Sequence, residues 1–527
     1  MKKRTLAALL GTLTALSSVA PTMAQAAENT EEYTVTFCRT QDSTMESDIF
    51  SILKDESYED NRWTRLIADR LGINVKYLWI APNEEQQTQK FNAAVAAGTI
   101  PDIVCVDKLT LKNLVEADLV VDMGSYFEEY ASDLLKSMIE SAGEQCVQAC
   151  TFDGVQYGIP YVDCDIETAQ MLWLRQDWMD ELGLEAPKTI DDLKGIMDAF
   201  MEKVGDGAVG MALCNDLYGN LMDIKGFANA YGAYPRYWVQ QDDGTLVYGS
   251  TTPEMKQTLE ALADLYQNGY LDEEFHVNDG TKAAEDLVND KCGVLYGWHA
   301  TALWPLQDNL NQNPDADWRP YQIVTSEESA EVTPGINMMT SSWYAVSSEC
   351  EHPEALVELL NLYCDSYYAN PGDGLEGVWR LSPVSLNSPD KNQQTAKAIA
   401  EPLKTGDPGD LYGEQLSMYE YSKAAQDGDT TLWGWNRVFG EGGSQMLLID
   451  YENDENVKLV RDQFYGVATE TMSMRKTTLD TVLDEAFIKI ITGQTTADEF
   501  DTVVESWYSA GGQDMTDEVN EWYQAQQ

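Results

Sequence analysis

The sequence predicts an α/β fold divided between two lobes, and three observations support this prediction. The chain has 527 residues, which is too long for a single hydrophobic core. Residues 33–107 follow the order strand, helix, strand, helix, strand, which is typical of a mostly parallel sheet flanked by helices. The segment Tyr157–Leu184 then joins a linker with Gly158 and Pro160, a strand and a helix start, which indicates a hinge between two compact bodies.

The first lobe is predicted from a sequence of short, well-marked elements. The predicted strands are Tyr33–Cys38, Ile73–Ile80 and Pro101–Asp107, and the predicted helices are Trp63–Leu71 and Gln86–Ala97, each followed by a glycine. In such sheets, ligands bind beyond the carboxyl ends of the strands. Polar and aromatic residues at those ends are therefore candidate ligand contacts: Arg39, Gln41, Trp79 and Asp107.

The second lobe is predicted to be mainly helical around buried strands. Thr168–Arg175 is expected as a strand, and Arg175 is expected to pair with a nearby acid for structural reasons. Thr189 and Asp192 form a capping-box-like helix start, and Thr252-Pro253 opens a further helix. Lys291–Trp298 is a predicted buried strand that ends at Trp298 and His299.

Composition limits the possible partners. The formal net charge of −55 disfavours nucleic acid and anionic membranes, and it weakens the case for a polyanionic ligand. The 14 tryptophans and 27 tyrosines are expected mostly in the core, but some could line a groove. Such rings suit a ligand that has both C–H faces and hydroxyl groups.

Residues 1–26 are predicted to be a secretory leader that is cleaved near Ala26. MKKR gives the positive start, an apolar run follows, and Ala24-Gln25-Ala26 fits a cleavage motif. We therefore expect an exported, soluble protein. The first cysteine is Cys38, so a lipid-attachment cysteine after the leader is not expected. Nine cysteines leave at least one thiol unpaired, and Cys38 and Cys105 are predicted within buried strands.

The sequence contains no recognisable catalytic motif. There is no G-x-S-x-G, H-E-x-x-H or Walker loop, and the three histidines are far apart. Carboxylate pairs such as Asp163 and Asp165 arise by chance among 89 acidic residues. Asp427-Gly-Asp429 does not complete a calcium loop. We expect no catalytic residue, no metal and no cofactor.

Several segments, taken together, resemble the bacterial extracellular solute-binding protein family 1, in particular the long lipoprotein-type members that serve carbohydrate ABC importers. The matching segments are Leu174–Leu184, Pro187–Leu193, Asp243–Phe275, Lys291–Gly297 and Ile491–Tyr523. The chain departs from the family's usual pattern in two ways. It has no lipid-attachment cysteine after the leader, and residues 204–209 replace the calcium-like loop of many relatives.

The resemblance implies a periplasmic-binding-protein-like fold, in which two lobes close on a ligand held in the cleft between them. It places residues 33–160 in the first lobe, 161–334 in the second, 335–450 in a return to the first lobe with cleft loops, and 451–527 in C-terminal helices mainly of the second lobe. The return is expected near Gly335–Tyr344 and a third crossing near residue 450. Residues 366–450 are expected to form ordered loops.

The implied function is to bind a sugar or oligosaccharide outside the cytoplasm, as a monomer, and to deliver it to an ABC permease without catalysis. Rings supply contact area to a sugar, and charged hydrogen bonds supply stereochemical selectivity. On this basis we predict further ligand contacts at the hinge, on the second lobe and on the late loops: Tyr161, Asp163, Trp343, Trp298, His299, Trp379, Arg380, Trp433 and Trp435.

Two other functions remain open from the sequence. The same fold could bind a peptide or another small solute, which would require a cleft poor in stacked rings or a fixed charge for a peptide terminus. A secreted glycoside hydrolase is supported only by export, acidic residues and aromatic residues. Release of new reducing ends from oligosaccharides would identify the hydrolase.

Overall fold

A computed structural model describes residues 32–43, 45–328, 330–369 and 376–527 of the chain. The predicted leader over residues 1–26 and its cleavage site lie outside the described residues. Among the described residues, no helix combines the length and the apolar character that crossing a membrane requires. All nine cysteines are described, and none of them forms a disulfide.

Apart from β1 and β2, the described strands have two to five residues. In chain order they are β1 Tyr33–Thr40, β2 Ile73–Ala81, β3 Ile103–Asp107, β4 Thr151–Phe152, β5 Val155–Gln156, β6 Ile159–Pro160, β7 Met171–Arg175, β8 Trp238–Gln240, β9 Leu246–Tyr248, β10 Val294–Gly297, β11 Trp318–Tyr321, β12 Gly335–Ile336, β13 Ser342–Val346 and β14 Val460–Arg461.

Helices make up most of the remaining described structure. They are α1 Phe50–Ile52, α2 Arg62–Leu71, α3 Glu84–Ala97, α4 Lys108–Glu116, α5 Gly124–Tyr130, α6 Asp133–Ser141, α7 Glu144–Gln148, α8 Gln176–Leu182, α9 Ile190–Val204, α10 Lys225–Asn229, α11 Pro253–Gln267, α12 Gly280–Val288, α13 Leu306–Gln312, α14 Ala355–Cys364, α15 Lys391–Thr405, α16 Gly413–Gln426, α17 Trp433–Phe439, α18 Ser444–Asn453, α19 Glu470–Ile491, α20 Glu499–Trp507 and α21 Gln513–Gln526.

The chain separates into two compact units. Unit 1 contains the described residues through Cys164, together with Met339–Pro389 and Tyr412–Ser417. Unit 2 contains Asp165–Met338, Asp390–Leu411 and Met418–Gln527.

The expected assignment of the whole segment 335–450 to the first lobe is wrong in two parts. Residues 390–411 and 418–450 belong to unit 2, and no change of unit occurs near residue 450. The physical reason is helix packing, because α15 packs on α17 and α18, and these two helices pack on the 3₁₀ helix His299–Ala302 of unit 2. The expectation of loops over 366–450 is also corrected, since α15 to α18 occupy much of this segment.

The described part of unit 1 contains a parallel strand pair, a three-stranded antiparallel sheet and the short antiparallel pair β4–β5. β1 pairs with β2 in parallel, whereas β13 lies between β3 and β6 and is antiparallel to both. Helix α2 begins at Asn61, which forms a capping box with Thr64, and it ends at Gly72, whose φ of 70° favours glycine. This helix buries Trp63 and Ile67 in the core of unit 1.

Unit 2 is organised around β7, which is fully buried between β10 and β11 and antiparallel to both. The prediction of mostly parallel sheets is therefore wrong for the three-stranded sheet of each unit, because strands that return from distant parts of the chain run in the opposite direction. The structural role predicted for Arg175 is confirmed. Its guanidinium is buried, bonds to Asp177 and Asp290, and lies 4.3 Å from the ring centroid of Trp178.

Candidate functional site

Arg39 and Trp79 lie at the carboxyl ends of β1 and β2 in unit 1. Arg39 is paired with Ile80 and Cys38 with Trp79, so the two side chains project from opposite faces of the strand pair. The Trp79 indole N–H donates to Gln87 Oε1 at 2.7 Å, which leaves its ring to offer mainly a face. The Arg39 guanidinium lies 4.8 Å from the Tyr58 ring centroid, and its Nε has no hydrogen-bond partner among the described residues.

A 3₁₀ segment of unit 1, Glu376–Leu381, places Trp379 and Arg380 beside Arg39. Arg39 Nη1 donates to the Arg380 carbonyl at 3.4 Å, and Arg380 Nη1 donates to Asp42 Oδ2 at 3.1 Å. The Arg380 guanidinium lies 4.6 Å from the Trp379 ring centroid. Arg39, Trp379 and Arg380 therefore form one cluster of a ring and hydrogen-bond donors, although 341 residues separate Arg39 from Arg380.

Two other predicted contacts of unit 1, Gln41 and Asp107, lie in environments that differ from that of Arg39. Gln41 is exposed, and its backbone N–H donates to the Ala81 carbonyl at 2.7 Å. Asp107 is also exposed, but its carboxylate caps α4 by accepting the Thr110 N–H at 2.8 Å and the Thr110 hydroxyl at 3.1 Å. Asp107 therefore already has a structural role at a helix start.

Tyr161 and Asp163 lie at the end of unit 1 that precedes the change to unit 2. Tyr161 is half-buried, and its ring centroid lies 6.1 Å from that of Tyr344. Asp163 is half-buried and accepts a long hydrogen bond of 3.4 Å from Asn387 Nδ2. Both side chains keep surface from which a ligand could be contacted.

The structure does not support Trp343 as a ligand contact. Trp343 is fully buried in β13, and its indole N–H donates to the Cys146 carbonyl at 2.8 Å. Cβ of Trp343 would lie only 3.1 Å from a Cβ placed on Gly158, so the neighbouring chain packs directly against it. Its polar atom is satisfied and both ring faces are covered, which makes it a core residue.

Unit 2 holds the remaining predicted contacts around the end of β10. Trp298 follows the last residue of β10, is half-buried, and meets His299 edge-on with ring centroids 4.9 Å apart. Its backbone N–H donates to the Asn220 carbonyl at 3.1 Å. The end of β10 and this hydrogen bond together fix the position of the Trp298 backbone, from which the indole extends.

His299 belongs to a buried polar network. Its Nε2 lies 3.4 Å from Glu167 Oε2, and Gln445 Nε2 lies 3.0 Å from His299 Nδ1. Gln445 Nε2 also donates to Glu167 Oε1 at 2.7 Å, so the carboxylate fixes which way the amide points. An amide N–H that faces Nδ1 requires this nitrogen to accept, which assigns the ring proton to Nε2. Both ring nitrogens of His299 are thus engaged within unit 2, and the residue can offer a ligand only its carbon edge.

Trp433 and Trp435 reach the same part of unit 2 through helix α17. This helix packs on the 3₁₀ helix His299–Ala302, and a Cβ on Gly434 would lie 2.7 Å from the Ala302 carbonyl oxygen. Both indoles are half-buried, and the Arg437 guanidinium lies 5.6 Å from the Trp433 ring centroid. Burial lowers the pKa of Arg437, and the Asp317 carboxylate at 2.6 Å opposes this shift.

Several polar residues near His299 lie in no motif or pattern that would identify them from the sequence as part of a site. Asn392 Nδ2 donates to Glu167 Oε1 at 2.7 Å, so Glu167 is contacted from α15 as well as from α18. Glu167 and Gln445 are separated by 278 residues and belong to no motif. Only the folded chain shows that they surround a predicted contact.

The two clusters are chemically suited to binding. They combine indole faces, guanidinium and amide N–H groups and carboxylates, which is the set of groups that holds a hydroxylated ligand. Within the described ranges, no group of three or more His, Cys, Asp or Glu side chains has the arrangement of a metal site.

Comparisons with known proteins place this architecture in a family. The family model described as "Bacterial extracellular solute-binding protein" matches residues 57–363, which is more than half of the chain. Among individual proteins, the chain is 23% identical over 498 residues to the polygalacturonan/rhamnogalacturonan-binding protein YtcQ of Bacillus subtilis, with 91% of each chain covered. It is 25% identical to Lipoprotein LipO of the same organism, with 86% of this chain and 87% of LipO covered.

Solved structures share the fold at low sequence identity. A solute-binding protein from Bifidobacterium longum infantis, titled as HMO-binding and ABC-transporter-associated, superimposes with a TM-score of 0.60 at 15% identity and covers 93% of this chain and 98% of that one. FusA of Streptococcus pneumoniae in complex with fructo-nystose gives a TM-score of 0.56 at 15% identity, with 94% and 100% covered. These likenesses confirm the α/β fold class. Together with the family match, they establish that the chain belongs to the bacterial extracellular solute-binding protein family.

Proposed function

We propose that this protein is the extracytoplasmic substrate-binding component of an ABC importer, and that it binds a sugar or oligosaccharide and delivers it to a permease. The observation that carries the proposal is the family match over residues 57–363. The names of relatives point to carbohydrate, since YtcQ is named as binding polygalacturonan and rhamnogalacturonan, and FusA as serving fructooligosaccharide.

The side chains of each unit support a carbohydrate ligand over a peptide. Unit 1 offers Trp79 at a strand end and Trp379 beside Arg380, and unit 2 offers Trp298, Trp433 and Trp435. Two of the three guanidinium groups at these clusters are paired with carboxylates, Arg380 with Asp42 and Arg437 with Asp317. A peptide terminus needs a fixed opposite charge, whereas sugar hydroxyls need donors, acceptors and ring faces.

We further propose that binding involves no turnover, that the protein acts as a monomer, and that it is exported after cleavage near Ala26. His299 supports the first point, because its nitrogens are held by Glu167 and Gln445 and are not poised toward a reacting group. The mass of the mature protein recovered from its host measures the cleavage position. Sedimentation measures the oligomeric state.

A thermal-shift screen with mono- and oligosaccharides tests the binding function. A ligand at about 100 times its dissociation constant should add about 2.7 kcal/mol to the free energy of unfolding. Trp298→Ala and Trp379→Ala should each remove most of the shift. Trp304→Ala is the matched control, because its indole is 42% exposed but belongs to neither cluster.

The outcomes separate the function from the site. No shift with any sugar would overturn the carbohydrate proposal, and new reducing ends would overturn binding without turnover. Wild-type shifts in both Trp298→Ala and Trp379→Ala would leave the function standing and refute the two clusters as its site.

A further inference from the structure

A buried carboxylate, Glu167, lies in unit 2 beside His299, the residue that follows the candidate ligand contact Trp298. It belongs to the 3₁₀ helix Asp165–Thr168. A buried carboxylate is unfavourable unless hydrogen-bond donors or opposite charges satisfy it. The groups that satisfy Glu167 therefore indicate what this side chain holds in place.

Three side chains direct nitrogen atoms at this carboxylate. Asn392 and Gln445 each donate an amide N–H to Glu167 Oε1 at 2.7 Å. Oε2 of Glu167 lies 3.4 Å from His299 Nε2. The two amides belong to α15 and α18, and His299 begins another 3₁₀ helix. One carboxylate therefore connects three separate segments of unit 2 to its own.

Glu167 and Gln445 together determine where His299 carries its proton. The two hydrogens of Gln445 Nε2 face Glu167 Oε1 at 2.7 Å and His299 Nδ1 at 3.0 Å. Nδ1 must therefore accept, which leaves the ring proton on Nε2, facing Glu167. Reversing the Gln445 amide would bring its oxygen against the carboxylate, so Glu167 holds the amide in this orientation.

The orientation of Gln445 has a cost that falls on its own oxygen. Gln445 is fully buried, and its Oε1 has no hydrogen-bond partner in the part of the chain that the structure describes. A buried acceptor without a donor is unfavourable. The network thus leaves a Gln445 hydrogen bond unmade while it engages both nitrogens of His299. This indicates that the arrangement serves the imidazole ring.

The His299 ring in turn contacts the Trp298 indole. The ring centroids lie 4.9 Å apart, and the interplanar angle is 70°. The backbone of both residues is held independently, because Ser444 Oγ donates to the His299 carbonyl at 2.6 Å and Thr301 Oγ1 donates to the Trp298 carbonyl at 2.7 Å. With the backbone fixed, the position of the imidazole limits how the indole can turn.

We propose that Glu167 is a positioning residue for sugar binding. It holds the His299 ring neutral and in one orientation, and this ring holds the Trp298 indole in the orientation that stacks on the sugar. Glu167 acts through His299 and makes no contact with the sugar itself. The inference rests on the carbohydrate function proposed above. An aromatic contact that is fixed before the ligand arrives loses less freedom on binding.

Glu167→Gln tests this role with almost no change of shape. The new amide nitrogen would face either the Nε2–H of His299 or the N–H groups of Asn392 and Gln445. Moving the ring proton to Nδ1 does not help, because Nδ1 faces the Gln445 N–H, so the imidazole must turn. Sugar affinity should fall about fivefold or more. Titration calorimetry of the full chain measures it, with kestose, trigalacturonate, maltotriose and mannotriose as probes.

Gln445→Leu is a second network variant that does not depend on the folding of Glu167→Gln. It removes the N–H that faces His299 Nδ1 and keeps an apolar side chain of similar size. The imidazole loses one of its two fixed partners, so sugar affinity should again fall about fivefold or more.

Magnetic resonance distinguishes positioning from a contribution to stability alone. The chain has three histidines, so nitrogen-15 labelling of histidine gives only three sets of ring signals. At neutral pH the wild-type His299 should show the neutral Nε2–H form, and Glu167→Gln should lose this single form. The Trp298 indole N–H signal, assigned with Trp298→Phe, should move in the same variant.

Asp480→Asn is the matched control. Asp480 is another buried carboxylate of unit 2, and it accepts from the Tyr248 hydroxyl at 2.7 Å and from Lys476 Nζ at 2.6 Å. Its replacement should lower the melting temperature. Sugar affinity should stay within about twofold of the wild type, and the His299 and Trp298 signals should not move.

Each outcome decides the role of Glu167. Wild-type affinity in either network variant that folds, or a wild-type His299 with its proton on Nδ1, would overturn the role and leave the carbohydrate function standing. An equal loss of affinity in Asp480→Asn would overturn it as well. Failure of every probe to bind the wild type would contradict the carbohydrate function and the role together. Loss of affinity only in the network variants, with shifted His299 and Trp298 signals in Glu167→Gln, would establish it.

Discussion

Trp343 and Trp298 show why the environment of a tryptophan decides its role. Trp343 is enclosed in β13 and has its N–H satisfied, whereas Trp298 is half-buried beside a strand end. Both tryptophans lie next to polar residues in the sequence, so the sequence alone predicts a ligand contact at each of them equally well. The difference comes from strand pairing, since β13 lies in the middle of its sheet and β10 at an edge.

Trp343→Ala should therefore act on stability and not on binding. The loss of a buried indole should lower the free energy of unfolding by about 3–5 kcal/mol, because it leaves a cavity and removes the indole hydrogen bond to the Cys146 carbonyl. Urea unfolding followed by circular dichroism measures the change. Exposed Trp304→Ala should cost less than about 1 kcal/mol. A Trp343→Ala protein of normal stability that had lost its ligand would reverse our assignment.

Residue-level prediction from the sequence works where the local pattern determines the environment. Arg39 and Trp79 at strand ends, and Trp298 after β10, follow from strand patterns a few residues long. Glu167, Gln445 and Gln170 could not be predicted, because their environments depend on partners hundreds of residues away. The burial of Trp343 depends in the same way on β3 and β6.

Helix α17 is the element that brings Trp433 and Trp435 to the end of β10. Its contact with the 3₁₀ helix depends on Gly434, where a Cβ would lie 2.7 Å from the Ala302 carbonyl. Gly434→Ala should displace the helix, cost about 1–3 kcal/mol and weaken sugar binding. Thermal unfolding and titration calorimetry measure the two effects.

Gly195→Ala is the control for this substitution. Gly195 lies within α9, and a Cβ there would meet nothing within 4 Å. Alanine should raise the free energy of unfolding by about 0.5–1 kcal/mol, because it is the better helix former. If Gly434→Ala also raised the free energy of unfolding, the close approach of Gly434 to the Ala302 carbonyl would not be what holds α17 in place.

The capping box of α9 should make the stability depend on pH in a defined direction. Hydrogen bonds to Asp192 from the Lys188 backbone, and from the Thr189 side chain and backbone, lower the pKa of this carboxyl. Since the folded pKa lies below the unfolded value of about 3.9, ionised Asp192 stabilises the fold above that pH. The contribution is lost as the pH falls from there through the lower, folded pKa.

Asp192→Ala should accordingly cost about 0.3–1.5 kcal/mol at neutral pH. The difference from the wild type should shrink below about pH 3.9. Urea unfolding midpoints of the variant and the wild type, at neutral pH and below about pH 3.9, measure this difference. If the difference were as large at the acidic pH, the charge of Asp192 would not contribute to the stability.

Elements with strong local signals are predictable from the sequence, and the others are not. Asn61, Thr189 and Thr252 mark helix starts through side-chain caps, and Gly72 and Gly98 mark ends. The segment with α15 to α18 was predicted as loops because several of these helices are short and interrupted by Gly and Asp. Tertiary packing in unit 2 stabilises them in place of a regular apolar period.

At the scale of the whole molecule, the dominant physical feature is the net charge of −55. Repulsion among these charges opposes folding and is screened by salt. Raising sodium chloride from about 20 mM to about 0.5 M should therefore raise the melting temperature. At about pH 4, where many carboxyls bind protons, the same increase should have a smaller effect. Equal salt effects at both pH values would show that charge repulsion does not limit the stability.

The division into two units was predictable from length and from the hinge pattern, but the path of the chain was not. The chain returns to unit 1 at Met339 and then changes unit again at Asp390, Tyr412 and Met418. Composition does not mark these changes. The changes of unit depend on which of the two cores each short helix packs against. This packing is determined only by the complete fold.

The position of β13 has a consequence for how the protein is made. The sheet of unit 1 needs this strand between β3 and β6, although it is synthesised long after both of them. The amino-terminal part of the chain cannot complete its own sheet on emerging from the ribosome, and contacts so distant in sequence form slowly. A polypeptide that stays open until late in synthesis is compatible with the export proposed above, because early compaction would block passage through a secretion channel.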